Sequence, residues 1–394
     1  MRRRLSGLVL ALLALLRVRR PGPQPQATPR RVAIVRFGGL GDVVVATGLA
    51  QSVRRRWPEA EIVFVTGAAA APLLAHHPAI DRLAVVEPRP FGRDLAAFRA
   101  CRRQLAEATA PGVDLLLFLH NDLPTLLLAG GVPARWRAGH DVNGRGFGFR
   151  LSHPVPLYVG DHPLAGRNVG RHLNELFHDL LRGFLGQPAL PAEPPLLRVT
   201  DAERAEAEAW LSAPVVAAGP AVLLPCGTDP IKLWPAGRYA ELAEALAEDG
   251  RPVVVLGGPA ERTLAPAFAS APLRFAAGEL TLRRSLAVLS QAALVVGNDT
   301  GLLHAAAALG QATLGLFGPT AWWAFGYAGD AGRRNRVLRT DLPCVPCFAS
   351  VCRLLPPERR GETPPCLDDL AVGTVAEAAR ALARPAAAGE GAAP

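Results

Sequence analysis

Three polar residues that could bind an anionic ligand lie close together near position 300. Asp299, Thr300 and His304 follow an apolar run at 293–296 and accompany a helical pattern that begins at Leu302. This order predicts a strand, a loop and a helix. Ligands of open α/β sheets bind at the carboxyl ends of the strands, and a helix N-terminus stabilises a phosphate through its unpaired N–H groups and its dipole. Because Asp and Thr are also common helix caps, a structural role stays open.

Lys232 is the only lysine among the 43 cationic residues of the chain. It follows an apolar run at 221–224, which predicts a buried strand, and precedes a helical pattern at 236–248. Every other cation is an arginine, whose guanidinium is a planar fork, whereas lysine carries a compact ammonium. We therefore expect Lys232 to serve a site that needs a point charge.

A further candidate, Asp42, ends a glycine-rich turn at 37–42 that follows a predicted strand at 31–36. The dinucleotide-binding fingerprint does not fit this turn, because Val44 occupies the place of its third glycine. The turn is not a P-loop, because it lacks the Gly-Lys-Ser/Thr sequence. Asp42 is thus a carboxylate at the start of a helix, where it acts either as an N-cap or as a chemical group.

These three segments resemble the signatures of glycosyltransferase family 9, the bacterial heptosyltransferases. The family pattern D-[ST]-G-x-x-H-x-A-x-A-x-G, followed by F-G-x-T, is matched at 299–310 and 317–320. The pattern R-x-G-x-x-G-D-[VI] is matched at 36–43, and K-x-W-P is matched at 232–235. The resemblance covers essentially residues 31–384 and implies the α/β GT-B architecture, in which two Rossmann-like domains face a cleft.

The resemblance also implies a reaction. The enzyme would transfer a sugar, heptose from ADP-heptose above all, to a lipopolysaccharide-core or related cell-envelope acceptor, without a catalytic cofactor. Asp42 would be the general base for the acceptor hydroxyl, and Lys232 would neutralise the diphosphate of the donor. The other residues expected to bind the donor are Thr228 (phosphate), Glu261 (ribose hydroxyls), Thr300 and Gly301 (helix N-terminus), and Asp299 and His304 (sugar–phosphate junction).

Two other functions share features of this sequence. A nucleotide-sugar epimerase has the same two-domain design and would turn over UDP-sugars without an acceptor. A non-catalytic, membrane-associated protein that binds sugar nucleotides would show no turnover. Binding alone does not require both Asp42 and Lys232, which is an argument against that alternative.

Strand-like and helix-like runs alternate along the chain, which predicts mostly parallel sheets. The first series, at 31–186, is the predicted acceptor-side domain. A proline-rich hinge at 187–195 precedes a second series at 196–384, the predicted nucleotide-sugar-binding domain. The predicted strands are 32–36, 61–65, 82–86, 113–119, 134–138, 221–224, 252–256, 273–276, 293–297 and 312–317.

The N-terminal tail at 1–30 carries most of the basic excess of the chain. Eight arginines and no acidic residue lie within residues 1–31, so the net charge of +9 leaves about +1 for the rest, which argues against nucleic-acid binding. The apolar run at 5–16 would span about 18 Å as a helix, short of the ~30 Å hydrocarbon core. We expect an interfacial helix that places a cytoplasmic enzyme on the inner membrane surface, with a cleaved signal peptide or a disordered tail as alternatives. Residues 385–394 are predicted to be disordered.

Four cysteines stand close together near the C-terminus, in a loop at 341–367 that is rich in proline and arginine. Four thiolates at such a density would suit a tetrahedral structural zinc. The second pair lacks the C-x2-C spacing, so disulfides and unpaired thiols stay open. The four residues are Cys344, Cys347, Cys352 and Cys366.

The acceptor side offers a weaker pattern. Arg145 and His172 lie in predicted loops of the first domain, in a region rich in arginine. Such loops suit a phosphorylated or carboxylated core sugar, so we expect these two residues to contact the acceptor. A solvated loop without a ligand is the alternative.

Overall fold

The computed structural model describes residues 28–87, 95–120, 122–142, 151–157, 170–326 and 335–383. The chain divides after Arg198 into two compact units, called here the N-terminal unit and the C-terminal unit. Residues 1–27 of the predicted membrane-binding tail lie outside the described residues. The segment 385–394 also lies outside them. Among the helices of the described part, none is long and apolar enough to cross a membrane.

A sheet of six parallel strands forms the centre of the N-terminal unit. The strands are β1 (Arg31–Val35), β2 (Glu61–Thr66), β3 (Arg82–Val85), β4 (Val113–Phe118), β5 (Ala134–Val142) and β6 (His153–Leu157). Their order in the sheet is β3-β2-β1-β4-β5-β6. The central strands β1 and β4 consist mainly of buried Val, Ile, Leu and Phe, as strands covered on both faces do.

The helices of the N-terminal unit begin with the one that carries Asp42. They are α1 (Leu40–Arg56), α2 (Leu95–Ala108), α3 (Leu123–Leu126) and α4 (Leu173–Leu185), with 3-10 turns at Ala71–Leu74 and Leu127–Gly131. α1 starts at Leu40, inside the glycine-rich segment, and its residues 43–50 are all buried. It ends in three arginines, which stabilise the negative end of the helix dipole.

The C-terminal unit repeats this design. Its strands are β7 (Ala221–Leu224), β8 (Val253–Val255), β9 (Arg274–Phe275), β10 (Leu294–Asn298), β11 (Thr313–Leu316) and β12 (Asn335–Leu338). They pair in parallel in the order β12-β11-β10-β7-β8-β9. The helices are α5 (Asp201–Leu211), α6 (Ala213–Ala218), α7 (Ala236–Glu248), α8 (Leu282–Leu289), α9 (Gly301–Ala308), α10 (Trp322–Phe325), α11 (Pro365–Asp368) and α12 (Val372–Ala383), with 3-10 turns at Pro230–Lys232, Pro259–Phe268 and Pro357–Arg359.

In each sheet the first strand of the unit is central: the next strands of the chain are added on one side of it, and the later strands are added on its other side. β1 lies between β2 and β4, and β7 lies between β8 and β10. Such a reversal of strand order opens a crevice at the carboxyl ends of the strands, where α/β proteins bind ligands. Arg36 and His120 follow β1 and β4 closely, whereas Lys232 and Asp299 follow β7 and β10. In each unit, these polar and charged residues therefore lie at the point where the strand order of the sheet reverses.

The predicted elements differ from the structure mainly at the edges of the sheets. The strands β6 and β12 and the helix α5 are absent from the sequence prediction. The sequence pattern also predicts a helix at 259–269, where the structure has a 3-10 helix over Pro259–Phe268 that contains Pro266. A proline lacks the N–H of a helical hydrogen bond, which accounts for this difference.

The segment that follows α4 packs against the N-terminal unit. The Asn174 amide donates to the carbonyl of Glu193 at 2.9 Å, and the Leu196 N–H donates to the Thr47 hydroxyl at 3.0 Å. A Cβ atom at Gly48 would lie only 2.5 Å from the Glu193 carbonyl oxygen, so a side chain there would push the segment away. The segment is thus held on α1 and α4 as far as residue 196.

Candidate active site

Asp42 lies in the first turn of α1, as the sequence predicts, and forms an ion pair with Arg36. The Asp42 side chain is 30% exposed, whereas that of Arg36 is 15% exposed. The pair involves only Oδ2 of the carboxylate, and Oδ1 accepts no hydrogen bond from the described residues. A partly exposed carboxylate in the first turn of a helix is available to take a proton from a ligand.

The glycine-rich turn before Asp42 is held by a neutral histidine. Burial lowers the pKa of His120 well below its ordinary value, and Arg36 adds to the effect. The neutral ring accepts a hydrogen bond from the Phe37 N–H at 2.9 Å and stacks on Phe37, with ring centroids 5.3 Å apart. Gly38 has a φ of 113°, which a residue with a side chain rarely adopts. The turn is therefore fixed on both sides of this glycine.

In the C-terminal unit, the structure brings together Lys232, Asp299 and His304. The Lys232 ammonium lies 3.2 Å from Oδ2 of Asp299, and Nε2 of His304 lies 3.4 Å from Oδ1. The side chains of Asp299 and His304 are 7% and 6% exposed, whereas that of Lys232 is 30% exposed. Each carboxylate oxygen thus has a nitrogen partner, and the ammonium is the member of the group that a ligand can reach.

The Asp299 carboxylate is charged because its partners outweigh its burial. Burial alone raises the pKa of Asp299, but the hydrogen bond and charge of His304 and the charge of Lys232 lower it to about 2. Two carboxylate oxygens that are already engaged contribute little further to ligand binding. We infer that Asp299 orients Lys232 more than it contacts a donor.

Asn298 is a site residue that sequence reasoning missed. It is fully buried at the end of β10, and its Oδ1 accepts from the Trp234 N–H at 2.9 Å. Its Nδ2 donates to the Cys226 carbonyl at 3.3 Å. These two bonds fasten both ends of the loop that carries Lys232 to the strand that precedes Asp299. The signal in the sequence was a polar amide beside Asp299 at the end of an apolar strand.

Thr300 and Gly301 open helix α9, as predicted. The Thr300 hydroxyl accepts from the Leu302 N–H at 3.1 Å, which is an N-cap, and lies 3.7 Å from the Cys226 sulfur. Gly301 is the first residue of the helix. Thr228 is exposed in the loop before the 3-10 turn Pro230–Lys232. All three residues belong to segments that flank Lys232 or Asp299.

Three other predicted residues have less direct support. Glu261 folds back on its own helix, where Oε2 accepts from the Gly258 N–H at 2.8 Å. His172 is the N-cap of α4, and its Nδ1 accepts from the Asn174 N–H at 3.1 Å. Both contacts are the structural roles open to these residue types. Arg145 lies outside the described residues.

The four clustered cysteines line one small cavity of about 20 Å³, together with Ile231 and Pro319. All six cysteines of the chain are described, and none forms a disulfide. Burial raises the pKa of Cys366 to about 12, and the three neighbouring thiols contribute. Within the described residues, no three His, Cys, Asp or Glu side chains are arranged to hold a metal ion. The thiols converge, but they do not stand at ligand distances.

Solved structures define the class of this fold. An E. coli ADP-heptose lipopolysaccharide heptosyltransferase II aligns with a TM-score of 0.67 and 20% identity over 90% of this chain and 98% of that one. An E. coli heptosyltransferase solved with ADP aligns with a TM-score of 0.63 and 22% identity over 89% of this chain and 99% of that one. The protein therefore has the GT-B fold, with two Rossmann-like units, as the sequence predicts.

Sequence comparison then identifies the family. The profile of glycosyltransferase family 9 (heptosyltransferase) matches residues 102–357. The lipopolysaccharide heptosyltransferase 1 of Pseudomonas aeruginosa is 31% identical over 341 residues, which cover 83% of this chain and 89% of that protein. The chain belongs to glycosyltransferase family 9, the heptosyltransferases, and is a glycosyltransferase.

Substitution Asp299→Asn tests the energetic role of the buried carboxylate. We expect the unfolding transition of the C-terminal unit to lose about 2 kcal/mol at pH 7. The loss is below the ~3–5 kcal/mol typical of a fully buried pair, because Lys232 is partly exposed. The matched control is Asp341→Asn, since Asp341 pairs with Arg339 but is 90% exposed and should contribute almost nothing. Equal urea-unfolding midpoints for both variants would contradict this role.

The same variant has a defined pH dependence. The pKa of Asp299 is about 2, below its ordinary value of 3.8, so its pairs stabilise the fold fully above pH 3.8. This contribution is lost as the pH falls towards 2, because the folded and unfolded states then bind the same proton. The difference between wild type and Asp299→Asn should therefore be present at pH 5 and shrink below pH 4.

Proposed function

We propose that this protein transfers heptose from ADP-heptose to a lipopolysaccharide-core or related cell-envelope acceptor. The observation that carries the proposal is the ammonium of Lys232, held by the buried Asp299 at the reversal point of the C-terminal sheet. The lipopolysaccharide heptosyltransferase 1 of P. aeruginosa and the ADP-heptose heptosyltransferase II of E. coli support the same donor and acceptor class.

Asp42 serves as the general base. Its Oδ1 takes the proton of the acceptor hydroxyl while the hydroxyl oxygen forms a bond to the anomeric carbon of the donor. The bond from that carbon to the diphosphate breaks, and its electron pair leaves with ADP. The exposure of 30% lets the acceptor reach the carboxylate.

The C-terminal unit stabilises the leaving group. Lys232 neutralises the charge that develops on the diphosphate, and the N–H groups at Thr300 and Gly301 add the positive end of helix α9. Charge fixed in advance stabilises a transition state without reorganisation, which makes a catalytic metal unnecessary. Thr228 contacts a phosphate, His304 supports Asp299 near the sugar–phosphate junction, and the second oxygen of Glu261 accepts from the ribose hydroxyls.

The proposal is tested with ADP-heptose and a core acceptor that lacks heptose, by following ADP release and transfer to the acceptor. Asp42→Asn should abolish transfer and leave donor binding near normal, because it removes the base and keeps the shape. Lys232→Ala should lower kcat by about 10²–10³, the usual effect of one lost preorganised charge. Lys232→Arg should also be poor, because a planar fork does not replace a point charge.

Matched controls keep these results interpretable. Arg251, a cation of the C-terminal unit that donates to the Gly219 carbonyl, should tolerate Arg251→Ala without loss of kcat. UDP-sugar turnover without an acceptor would instead favour an epimerase. Donor binding without turnover would favour a non-catalytic protein, and near wild-type turnover of Lys232→Arg would refute the role of the ammonium.

We also propose that the N-terminal tail holds this cytoplasmic enzyme on the inner membrane surface. The supporting features are the apolar run at 5–16 and the arginines on both sides of it, which attract acidic lipid by ~1 kcal/mol each. A protein that lacks residues 2–20 should remain active but no longer sediment with anionic vesicles. Equal sedimentation of the truncated and complete proteins would refute the anchor.

Finally, we propose a structural zinc on Cys344, Cys347, Cys352 and Cys366. The shared cavity next to Ile231 and Pro319 supports this ligand set, because zinc prefers four thiolates in a closed site. Binding would displace the protons of the thiols and draw the sulfurs together. The zinc would hold the loop and take no part in transfer.

The zinc proposal predicts about one zinc ion per chain by elemental analysis of purified protein. Cys347→Ser should lose the metal and loosen the loop, with only a partial fall in activity. Cys101→Ser is the matched control, because Cys101 is a buried thiol of the N-terminal unit. Metal-free protein with four titratable thiols in the loop would refute the site, and complete loss of transfer on chelation would refute the purely structural role.

A further inference from the structure

Arg36 makes contacts that fit a role in orienting Asp42. Its Nη2 pairs with Oδ2 of Asp42, and its Nη1 donates to the Leu119 carbonyl at 2.5 Å. Its guanidinium carbon lies 5.5 Å from the centre of the Phe177 ring, within cation–π range. The guanidinium thus connects the ends of β1 and β4 to the first turn of α1 and to α4. Four separate elements fix its position.

We propose that Arg36 is the positioning residue of the base, an inference that rests on the proposed function of Asp42. By holding Oδ2, Arg36 prevents rotation of the carboxylate and directs Oδ1 towards the acceptor hydroxyl. The guanidinium is a permanent cation in proteins and cannot take the proton itself. It therefore keeps a negative partner in place without competing for the proton that Asp42 receives.

The contacts of Arg36 are better explained by orientation than by stability alone. Its Nε is buried and has no hydrogen-bond partner among the described residues, which is unfavourable for the fold. Its two terminal nitrogens, in contrast, reach two acceptors on different strands and helices. A lysine could not make both contacts in this planar arrangement.

The test compares Arg36→Ala and Arg36→Lys in the transfer assay, with separate kcat and KM values. We expect Arg36→Ala to lower kcat about 100-fold, the order of loss caused by a misplaced catalytic group, with the donor KM within twofold of wild type. Guanidinium ion at non-denaturing concentration should restore at least part of kcat in a saturable manner. Arg36→Lys should lose about tenfold, because it keeps the charge and loses one contact.

Arg54→Ala is the matched control. Arg54 lies on α1, the helix that carries Asp42. It pairs with Asp81 and donates to the carbonyls of Pro58 and Ala60 at 2.6 and 2.8 Å. Its loss should leave kcat within twofold of wild type, and guanidinium should not increase it. Asp42→Asn should be inactive and not rescued, because guanidinium then has no carboxylate to orient.

The possible outcomes separate this inference from the function on which it rests. Wild-type kcat in Arg36→Ala, or a loss that guanidinium does not reverse, overturns the positioning role while transfer itself is still measured. If Arg36→Ala does not fold, Arg36→Lys decides: a reduced kcat with unchanged donor KM supports the role, and unchanged kcat overturns it. Retained transfer in Asp42→Asn would instead refute the assignment of the base.

Discussion

A charged carboxylate cannot be buried without partners, and Asp299 is the point at which this constraint shapes the C-terminal unit. Burial alone would favour its neutral form, so the fold places the Lys232 ammonium beside one of its oxygens and the His304 ring beside the other. His304 lies in the first turn of helix α9, and Lys232 lies in the loop after β7. The start of that helix and this loop must therefore lie next to each other. Asn298 then fastens that loop to β10. In this arrangement the Lys232 ammonium is the accessible group, and the buried Asp299 carboxylate fixes its position.

The two units use a similar pair of charges for different purposes. Asp42 and Asp299 each follow the carboxyl end of a strand at the reversal point of a sheet, and each is paired with a cation. Asp42 has one oxygen that accepts no hydrogen bond from the part of the chain that the structure describes, and its side chain is 30% exposed, which suits proton transfer. Asp299 has both oxygens engaged and is 7% exposed, which suits orientation. Exposure and partner count, not residue type, distinguish the two proposed roles.

The central strands and the motif-bearing loops were predictable, because buried parallel strands are continuous apolar runs and polar residues at their ends stand out against them. The edge strands β6 and β12 were not predictable in this way, since β6 contains two prolines and β12 begins with Asn335 and Arg336. Local patterns also could not separate caps from ligands: Glu261 and His172 both cap helices. The role of Asn298 depends on its hydrogen bond to Trp234, which is distant in the chain. Contacts between distant segments, such as Arg36 with Leu119 and Phe177, depend on the folded topology and have no local signature.

The near absence of lysine has a practical consequence for the study of this protein. Lys232 carries the only side-chain amine of the chain, and it is 30% exposed. An amine-selective label therefore modifies one side chain, and a protease specific for lysine has one cleavage point, between residues 232 and 233. Isotope-labelled lysine yields a single set of magnetic resonance signals, and these signals report on the loop beside Asp299. The wild-type protein thus carries an intrinsic single-site probe that requires no engineered substitution.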